Sequence, residues 1–342
     1  MRVEIRNHLT DVSSPRTRKL ARCAVLAAVA WCSSAAPARA LVPGDLCTGN
    51  PCVVGTDVVI DADAALDFGV TTDLRFAPGV RVLLQNGSTA AFSAGSIVIG
   101  SGARFSSDAP GSSLYFSADA TTIEIGVGGA PASFVLRDGV EVGFFAEGDC
   151  TVNARADVSG SQQEGGVFYI QSFGDVLFRG NVVADGSRDG QYNAGAVDFD
   201  ADGSLVVDGK LRARGYGPDS GYVLMRGAEV HLMGGIDVKP KVGYGGTVEV
   251  SAAAADVTLD AKIDAGGRRA PDDAGGNNCG GGIIQLMAAQ SIALNAKASV
   301  RGGGPGGCSG GSFTAQAGAN FVWREAGRSG PRRPGSSASA AA

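Results

Sequence analysis

The stretch that decides the fold is GIIQLMAAQSIALNAKASVRG, residues 282–302, in which apolar residues recur at a spacing of two. This spacing is the side-chain period of a β-strand, whose successive side chains point to opposite faces. Small and polar residues interrupt the runs, so the stretch predicts three short strands joined by tight corners. The residues predicted to face a core are Ile284, Leu286, Ala288, Ile292, Leu294, Ala298 and Val300.

The same register recurs along the chain in units that start 24 to 36 residues apart. A fixed register of inward residues, with length variation confined to the corners, is typical of a solenoid. No long stripe of apolar residues with the 3.6-residue period of a helix follows residue 40. We therefore predict an all-β solenoid of about nine to ten coils, with three short strands per coil. The first unit places Leu66, Phe68 and Val70 inward. The predicted units start at Ala64, Ser88, Ser112, Val140, Gly166, Gly195, Gly221, Gly246, Gly282 and Gly311.

Repeats such as GGTVEV (245–250), GGGIIQL (280–286) and SGGSFTA (309–315) give the chain a family resemblance. It resembles the secreted bacterial parallel β-helices of pectin-lyase-like architecture, which adhesin-like and haemagglutinin-like surface proteins share. The resemblance implies a single-stranded, right-handed parallel β-helix whose coils stack in register. It covers residues 58–323 and says little about activity.

The chain divides into four predicted segments. Residues 1–40 have the pattern of a signal peptide: basic residues, an apolar run at 23–31 that is too short to span a bilayer, and an Ala38-Arg39-Ala40 cleavage site. We expect export from the cell and no insertion into the membrane. Residues 41–57 are predicted to cap the first coil, 58–323 to form the β-helix, and 324–342, which lack apolar periodicity, to be disordered.

The formal net charge is −5, and it becomes about −10 without residues 1–40, which hold seven basic and two acidic residues. This balance argues against nucleic acid or an anionic membrane as a partner. Neutral or cationic partners, including extracellular glycans and divalent metal ions, stay open.

The cysteines predict two disulfides. Cys47 and Cys52 close the short loop CTGNPC before the first coil. Cys279 and Cys308 each lie three residues before the start of their units, and equivalent positions in adjacent coils stack about 4.8 Å apart, which is within reach of a disulfide. Cys150 falls at an inward position and is interpreted as a buried free thiol.

Because inward positions form the core, any binding must use outward positions or corners. Aromatic rings beside carboxylates and a guanidinium suit a sugar, by stacking and hydrogen bonding. The alternative is that exposed aromatic rings shield their neighbours and that the acids keep the rod soluble. The outward residues of the first strands that form this candidate face are Tyr115, Phe145, Tyr169, Gln171, Asp198, Asp200, Arg226 and Glu249.

Catalysis and metal binding have fewer candidates. Asp198 and Asp200 are a possible carboxylate pair for glycosidic-bond cleavage, although the motifs of polygalacturonases and the basic trio of pectate lyases are missing. Residues 198–203, DFDADG, match the opening of a calcium loop, with Asp198, Asp200 and Asp202 as ligands. However, the acidic residue expected at position 12 is Gly209, so no cofactor is expected and calcium stays an alternative.

Together these patterns predict a secreted or surface-exposed β-helix with a structural or adhesive role, in contact with an extracellular glycan or another cell-surface component. The alternative is a carbohydrate-active enzyme, a polysaccharide lyase or glycoside hydrolase, that acts on the first-strand face.

Overall fold

The computed structural model describes residues 41–138, 140–187, 192–216, 220–268, 280–303 and 309–324. The predicted signal peptide, Cys279 and Cys308 lie outside these ranges, as does the predicted disordered tail after Arg324. The predicted Cys279–Cys308 disulfide therefore stays a prediction.

The described residues form a parallel β-solenoid of ten coils, which confirms the predicted fold class. Each coil contributes one strand to a first-strand ladder in which neighbouring strands pair parallel. The strands of this ladder are β3 (Ala64–Asp67), β6 (Thr89–Ala94), β9 (Ser113–Ala118), β12 (Glu141–Ala146), β14 (Val167–Ser172), β16 (Ala196–Ala201), β18 (Tyr222–Gly227), β21 (Thr247–Ala252), β24 (Ile283–Ala288) and β27 (Ser312–Ala317).

A second-strand ladder runs along the neighbouring side of the solenoid, again with parallel pairing. Its strands are β1 (Cys52–Val54), β4 (Asp73–Phe76), β7 (Ser96–Gly100), β10 (Ile123–Val127), β13 (Cys150–Asp157), β15 (Val176–Val183), β17 (Ser204–Arg212), β19 (Glu229–Leu232), β22 (Val257–Leu259), β25 (Ile292–Leu294) and β28 (Phe321–Trp323).

A third-strand ladder completes each coil. The long strands β13, β15 and β17 belong to both ladders and join them into one 18-stranded sheet. The other strands of the third ladder are β2 (Val58–Ile60), β5 (Arg81–Leu84), β8 (Arg104–Ser107), β11 (Ala132–Val135), β20 (Ile236–Asp237), β23 (Ile263–Asp264) and β26 (Ala298–Ser299).

The pairing register agrees with the predicted units from Ser88 to Gly311 and differs in the first unit. Ala64 pairs with Ala90, so the first coil is shifted by two residues from the predicted start. Val70, predicted to face the core, is 60% exposed, because the chain turns after Gly69, which has a φ of +82°. A shift of two residues keeps each strand residue on its predicted face, so the error is confined to the corner.

The interior holds a continuous stack of aromatic rings over the N-terminal half of the solenoid. Rings from neighbouring coils stack at centroid distances of 5.3 Å for Phe92–Phe116 and 5.4 Å for Phe116–Phe144. Cys150 is also fully buried and free, as predicted, and burial raises the pKa of its thiol. The fully buried rings are Phe92, Phe105, Phe116, Phe134, Phe144, Phe168, Phe178 and Phe199, with Phe76 almost as buried.

Corner aspartates explain part of the acidic composition. The carboxylate of Asp149 accepts a hydrogen bond from the backbone N–H of Asp175 at 2.9 Å, and Asp175 accepts one from the N–H of Ser204 at 2.7 Å. Asp256 does the same for the N–H of Ser291. Backbone donors that lack a ladder partner at the corner are thereby satisfied, so these acids stabilise the coil.

Two corners require glycine because neighbouring backbones approach closely. A Cβ at Gly195 would lie 1.7 Å from the carbonyl oxygen of Gly166, and a Cβ at Gly209 would lie 1.7 Å from that of Gly180. Coils stacked at the spacing of a sheet leave no room for a methyl group at these positions.

The two ends of the described solenoid differ. A short helix, α1 (Pro43–Leu46), precedes the first ladder strand, and the predicted Cys47–Cys52 disulfide ties the residue after this helix to the first residue of β1. β1 pairs with β4, so the ladder begins at Cys52, inside the segment predicted as a cap. At the other end, Trp323 is 41% exposed. No helix among the described residues has the length and apolar character that a membrane span requires.

Candidate functional site

The outward side chains of the first-strand ladder form three columns, which together we call the first-strand face. Strand alternation points these side chains away from the core, and the parallel register places equivalent residues of successive coils side by side. All residues predicted for the candidate face lie in two of these columns. One of the two contains Tyr115, Gly143, Tyr169, Asp198, Leu224 and Glu249, and the other contains Ser117, Phe145, Gln171, Asp200, Arg226 and Ser251. The third column contains Glu141, Val167, Ala196, Tyr222 and Thr247.

Tyr115, Phe145 and Tyr169 come together as an aromatic patch. The Tyr169 ring lies 5.2 Å from Phe145 and 6.5 Å from Tyr115, between centroids. Tyr115 and Tyr169 are two coils apart, which would separate them by about 9.6 Å if both stood upright. Tyr169 therefore leans over Gly143, where a Cβ would lie 2.2 Å from its Cζ.

A carboxylate borders the aromatic patch. The Tyr115 hydroxyl donates a hydrogen bond of 2.7 Å to Oε2 of Glu141. Burial, followed by this hydrogen bond, raises the pKa of Tyr115, and burial raises the pKa of Tyr169 as well. Both tyrosines stay neutral hydrogen-bonding groups at physiological pH, which suits contact with sugar hydroxyls.

The next three coils present a charged patch, formed by Asp198, Asp200, Tyr222, Arg226 and Glu249. Asp200 pairs in register with Arg226, so their side chains are neighbours on the same face. The Tyr222 hydroxyl is hydrogen-bonded to Glu249; burial and this contact raise the pKa of the phenol. The patch therefore offers carboxylate acceptors and guanidinium donors directly beside the aromatic rings.

Asp198 is the most unusual group in the charged patch. It lies in register between Tyr169 and Leu224, and its Oδ1 is buried without a hydrogen-bond partner among the described residues. Burial raises the pKa of Asp198 from 3.8 to about 6; Arg226 lowers the pKa and Asp200 raises it further. A carboxyl group that titrates near pH 6 can hold or release a proton under mild conditions.

The calcium alternative has no support in the geometry. Asp198 and Asp200 are outward on β16, whereas Asp202 follows the strand and donates its backbone N–H to the carbonyl oxygen of Ser172. Within the described ranges, no group of three or more His, Cys, Asp or Glu side chains converges as metal ligands would. An extended strand spreads alternate carboxylates along its length and does not wrap them around one ion.

His231 has a carboxylate partner on another side of the solenoid. Its Nε2 lies 2.7 Å from Oδ2 of Asp260, in the second-strand ladder and its following corner. Asp260 also accepts a hydrogen bond from Asn295 at 2.7 Å, and these two contacts lower its pKa. The three residues tie adjacent coils together and do not reach the first-strand face.

The sequence interpretation missed Glu141, Gly143 and Tyr222. Glu141 and Tyr222 lie in the third column, at the first outward position of their strands, whereas the predicted residues lie in the other two columns. Gly143 lies between Tyr115 and Tyr169 in one column and has no side chain. A glycine between two tyrosines in a predicted column is the sequence signal that one of the rings has room to tilt.

The face is open along the rod. A hollow of about 710 Å³, lined in part by Glu141 and Val167, adjoins its edge. Comparison of the chain with known protein families, curated protein sequences and solved structures finds no match.

Proposed function

We propose that this protein is an exported β-helix rod that binds an extracellular glycan through the first-strand face, in a structural or adhesive role. The observation that carries the proposal is the aromatic patch, in which Tyr115, Phe145 and Tyr169 from three consecutive coils meet on one outward face. Aromatic rings that are neither in the core nor fully exposed are common elements of sugar-binding sites.

The charged patch supports the same ligand class. Sugar rings present apolar faces for stacking and hydroxyl groups for hydrogen bonds. The aromatic patch offers rings for stacking. Hydrogen bonds to the sugar hydroxyls can come from Glu141, Asp200, Arg226 and Glu249. The positions of the face repeat once per coil, so the face fits an extended polymer better than a small enclosed ligand.

Export and surface location belong to the same proposal. They are supported by the leader-like residues 1–40 and by the disulfide at Cys47–Cys52, which is typical of an oxidising compartment. The resemblance to adhesin-like proteins of pectin-lyase-like architecture supports the adhesive role only through the shared type of fold.

A carbohydrate-active enzyme is the second candidate, favoured by one observation. Asp198 has a raised pKa of about 6, and Asp200 is a second carboxylate on the same strand. A protonated acid beside an ionised carboxylate is the combination that glycosidic cleavage uses.

A glycan-array screen with the purified protein tests the proposal, followed by binding assays on variants. Tyr169→Ala and Asp198→Ala should each weaken binding of the glycan found, without lowering the melting temperature appreciably. Gln285→Ala is the matched control, because Gln285 lies in the same column three coils beyond Asp198.

The outcomes separate the two candidates. Full affinity in both variants would move the site away from the first-strand face. Release of reducing sugars or unsaturated products by the wild type, lost in Asp198→Asn, would favour the enzyme over the adhesin.

A further inference from the structure

The third-strand ladder carries arginines whose side chains form no ion pair with a described residue, on a different side of the solenoid from the proposed glycan face; the nearby Asp57 carboxylate accepts a hydrogen bond from the backbone N–H of Arg81. Arg81 and Arg104 are paired in register on β5 and β8. Arg155 follows two coils after Arg104, with Ser133 between them. All three side chains are exposed, and none has an ion pair with any described residue.

These arginines line a groove of about 660 Å³, which we call the cationic groove. Its walls include Pro131 and Val135, and no acidic side chain is among its described lining residues. Ser133, Val135 and Arg155 also line the next groove along the rod. There, Arg137 pairs with Asp157 at 2.8 Å and Arg212 with Asp185 at 2.9 Å. The uncompensated positive charge is therefore concentrated at the N-terminal part of a longer trough.

The placement of Arg81 opposite Arg104 is unfavourable for the protein alone, since like charges on neighbouring strands repel each other. Guanidinium groups bind carboxylate and sulfate oxygens through paired, charge-assisted hydrogen bonds. Anions that bind between the arginines relieve the repulsion, and the rung spacing of about 4.8 Å repeats the arginine positions along the rod axis.

We propose that the cationic groove binds a linear acidic polysaccharide, through its sulfate or carboxylate groups. The lining favours this polymer over single-stranded nucleic acid, which is usually bound by aromatic rings that stack on the bases. Phe105 is the one ring among the described residues that line the cationic groove, and it is fully buried, whereas the hydroxyls of Ser106 and Ser133 are available to sugar hydroxyls. This groove is a second binding surface, independent of the aromatic patch.

The test measures binding of fluorescent dextran sulfate and of fluorescent polygalacturonate to the full chain at physiological ionic strength. Neutral dextran and a single-stranded DNA oligonucleotide are the reference polymers. The variant is the double substitution Arg104→Glu and Arg155→Glu. The matched control is Arg75→Glu with Arg179→Glu, which changes the net charge equally at exposed positions of the second-strand ladder.

We expect the wild type to bind at least one of the two acidic polysaccharides and not neutral dextran. Binding of dextran sulfate identifies sulfate as the ligand group, and binding of polygalacturonate identifies carboxylate. The groove variant should lose about tenfold or more in affinity, and the control less than about threefold. Because the substitutions remove repulsion, the melting temperature of the groove variant should not fall.

Three results would overturn the proposal: no binding to either polymer, equal losses in the groove variant and its control, or equally tight and equally arginine-dependent binding of DNA. Tyr169→Ala should leave dextran sulfate and polygalacturonate binding at the groove unchanged, so the failure of one site can be told apart from the failure of the other.

Discussion

Asp198→Asn should stabilise the protein at neutral pH, because it removes a charge from a partly buried position at little cost in shape. Asp198 lies between Tyr169 and Leu224, and its buried Oδ1 accepts no hydrogen bond from the described residues. Burial raises its pKa from 3.8 to about 6, and the nearby Arg226 offsets only part of that effect.

The raised pKa determines the direction of the pH dependence. Below pH 3.8 the carboxyl group is protonated in both the folded and the unfolded chain, so it does not oppose folding. Between about pH 4 and 6 the unfolded chain releases the proton more readily than the folded one, and the free energy of unfolding falls. Above pH 6 the free energy of unfolding does not fall further on account of Asp198. The shift of its pKa from 3.8 to about 6 corresponds to a total loss of about 3 kcal/mol.

Urea denaturation of the wild type and Asp198→Asn across a series of pH values measures this effect. The two proteins should have equal stability near pH 4, and the variant should gain about 2–3 kcal/mol by pH 8. Asp208→Asn, at an exposed position of β17, is the matched control and should show no such gain. Equal stability of the wild type and Asp198→Asn at pH 8 would show that solvent reaches the Asp198 carboxylate freely.

Two further predictions concern packing, both measured by thermal and urea denaturation. Phe199→Ala should lower the free energy of unfolding by about 3–5 kcal/mol, because the ring is fully buried and lies 5.0 Å from Phe178; Phe145→Ala, on the outward face, should cost much less, and similar losses would place the register one residue off. Gly195→Ala should cost about 3 kcal/mol or more, since its Cβ would collide with the backbone of Gly166, whereas Gly310→Ala, where a Cβ meets nothing within 4 Å, should cost little.

The sequence predicted most of the fold because one physical rule repeats through it. Alternation at a period of two assigns each strand residue to a face, and stacking keeps the assignment from coil to coil. The rule does not determine where a coil starts when two possible starting residues are two positions apart, because both choices place the same strand residues inward. The turn after Gly69 decided this in the first coil, and the alternation carried no information about that turn.

The site was predictable only as a set of outward positions. Register places Tyr115, Tyr169 and Asp198 on one face, but contacts on that face depend on how far each side chain tilts. Tyr169 reaches Tyr115 because Gly143 has no side chain. The raised pKa of Asp198 depends on burial by its neighbours and on incomplete compensation by Arg226. Neither the tilt nor the desolvation is a property of sequence spacing.

Net charge was the least informative of the sequence quantities, because it adds charges that act in different places. Many of the acids hold backbone N–H groups at corners, as Asp149 and Asp175 do, and those carboxylates are already occupied by the fold. The side chains of Arg81, Arg104 and Arg155 form no ion pair with any residue that the structure describes, and they lie together in one groove. At physiological ionic strength, charges act over about 8 Å. A ligand in that groove therefore responds to the local arginines more than to the formal charge of −5 of the whole chain, and a negative net charge does not exclude an anionic ligand.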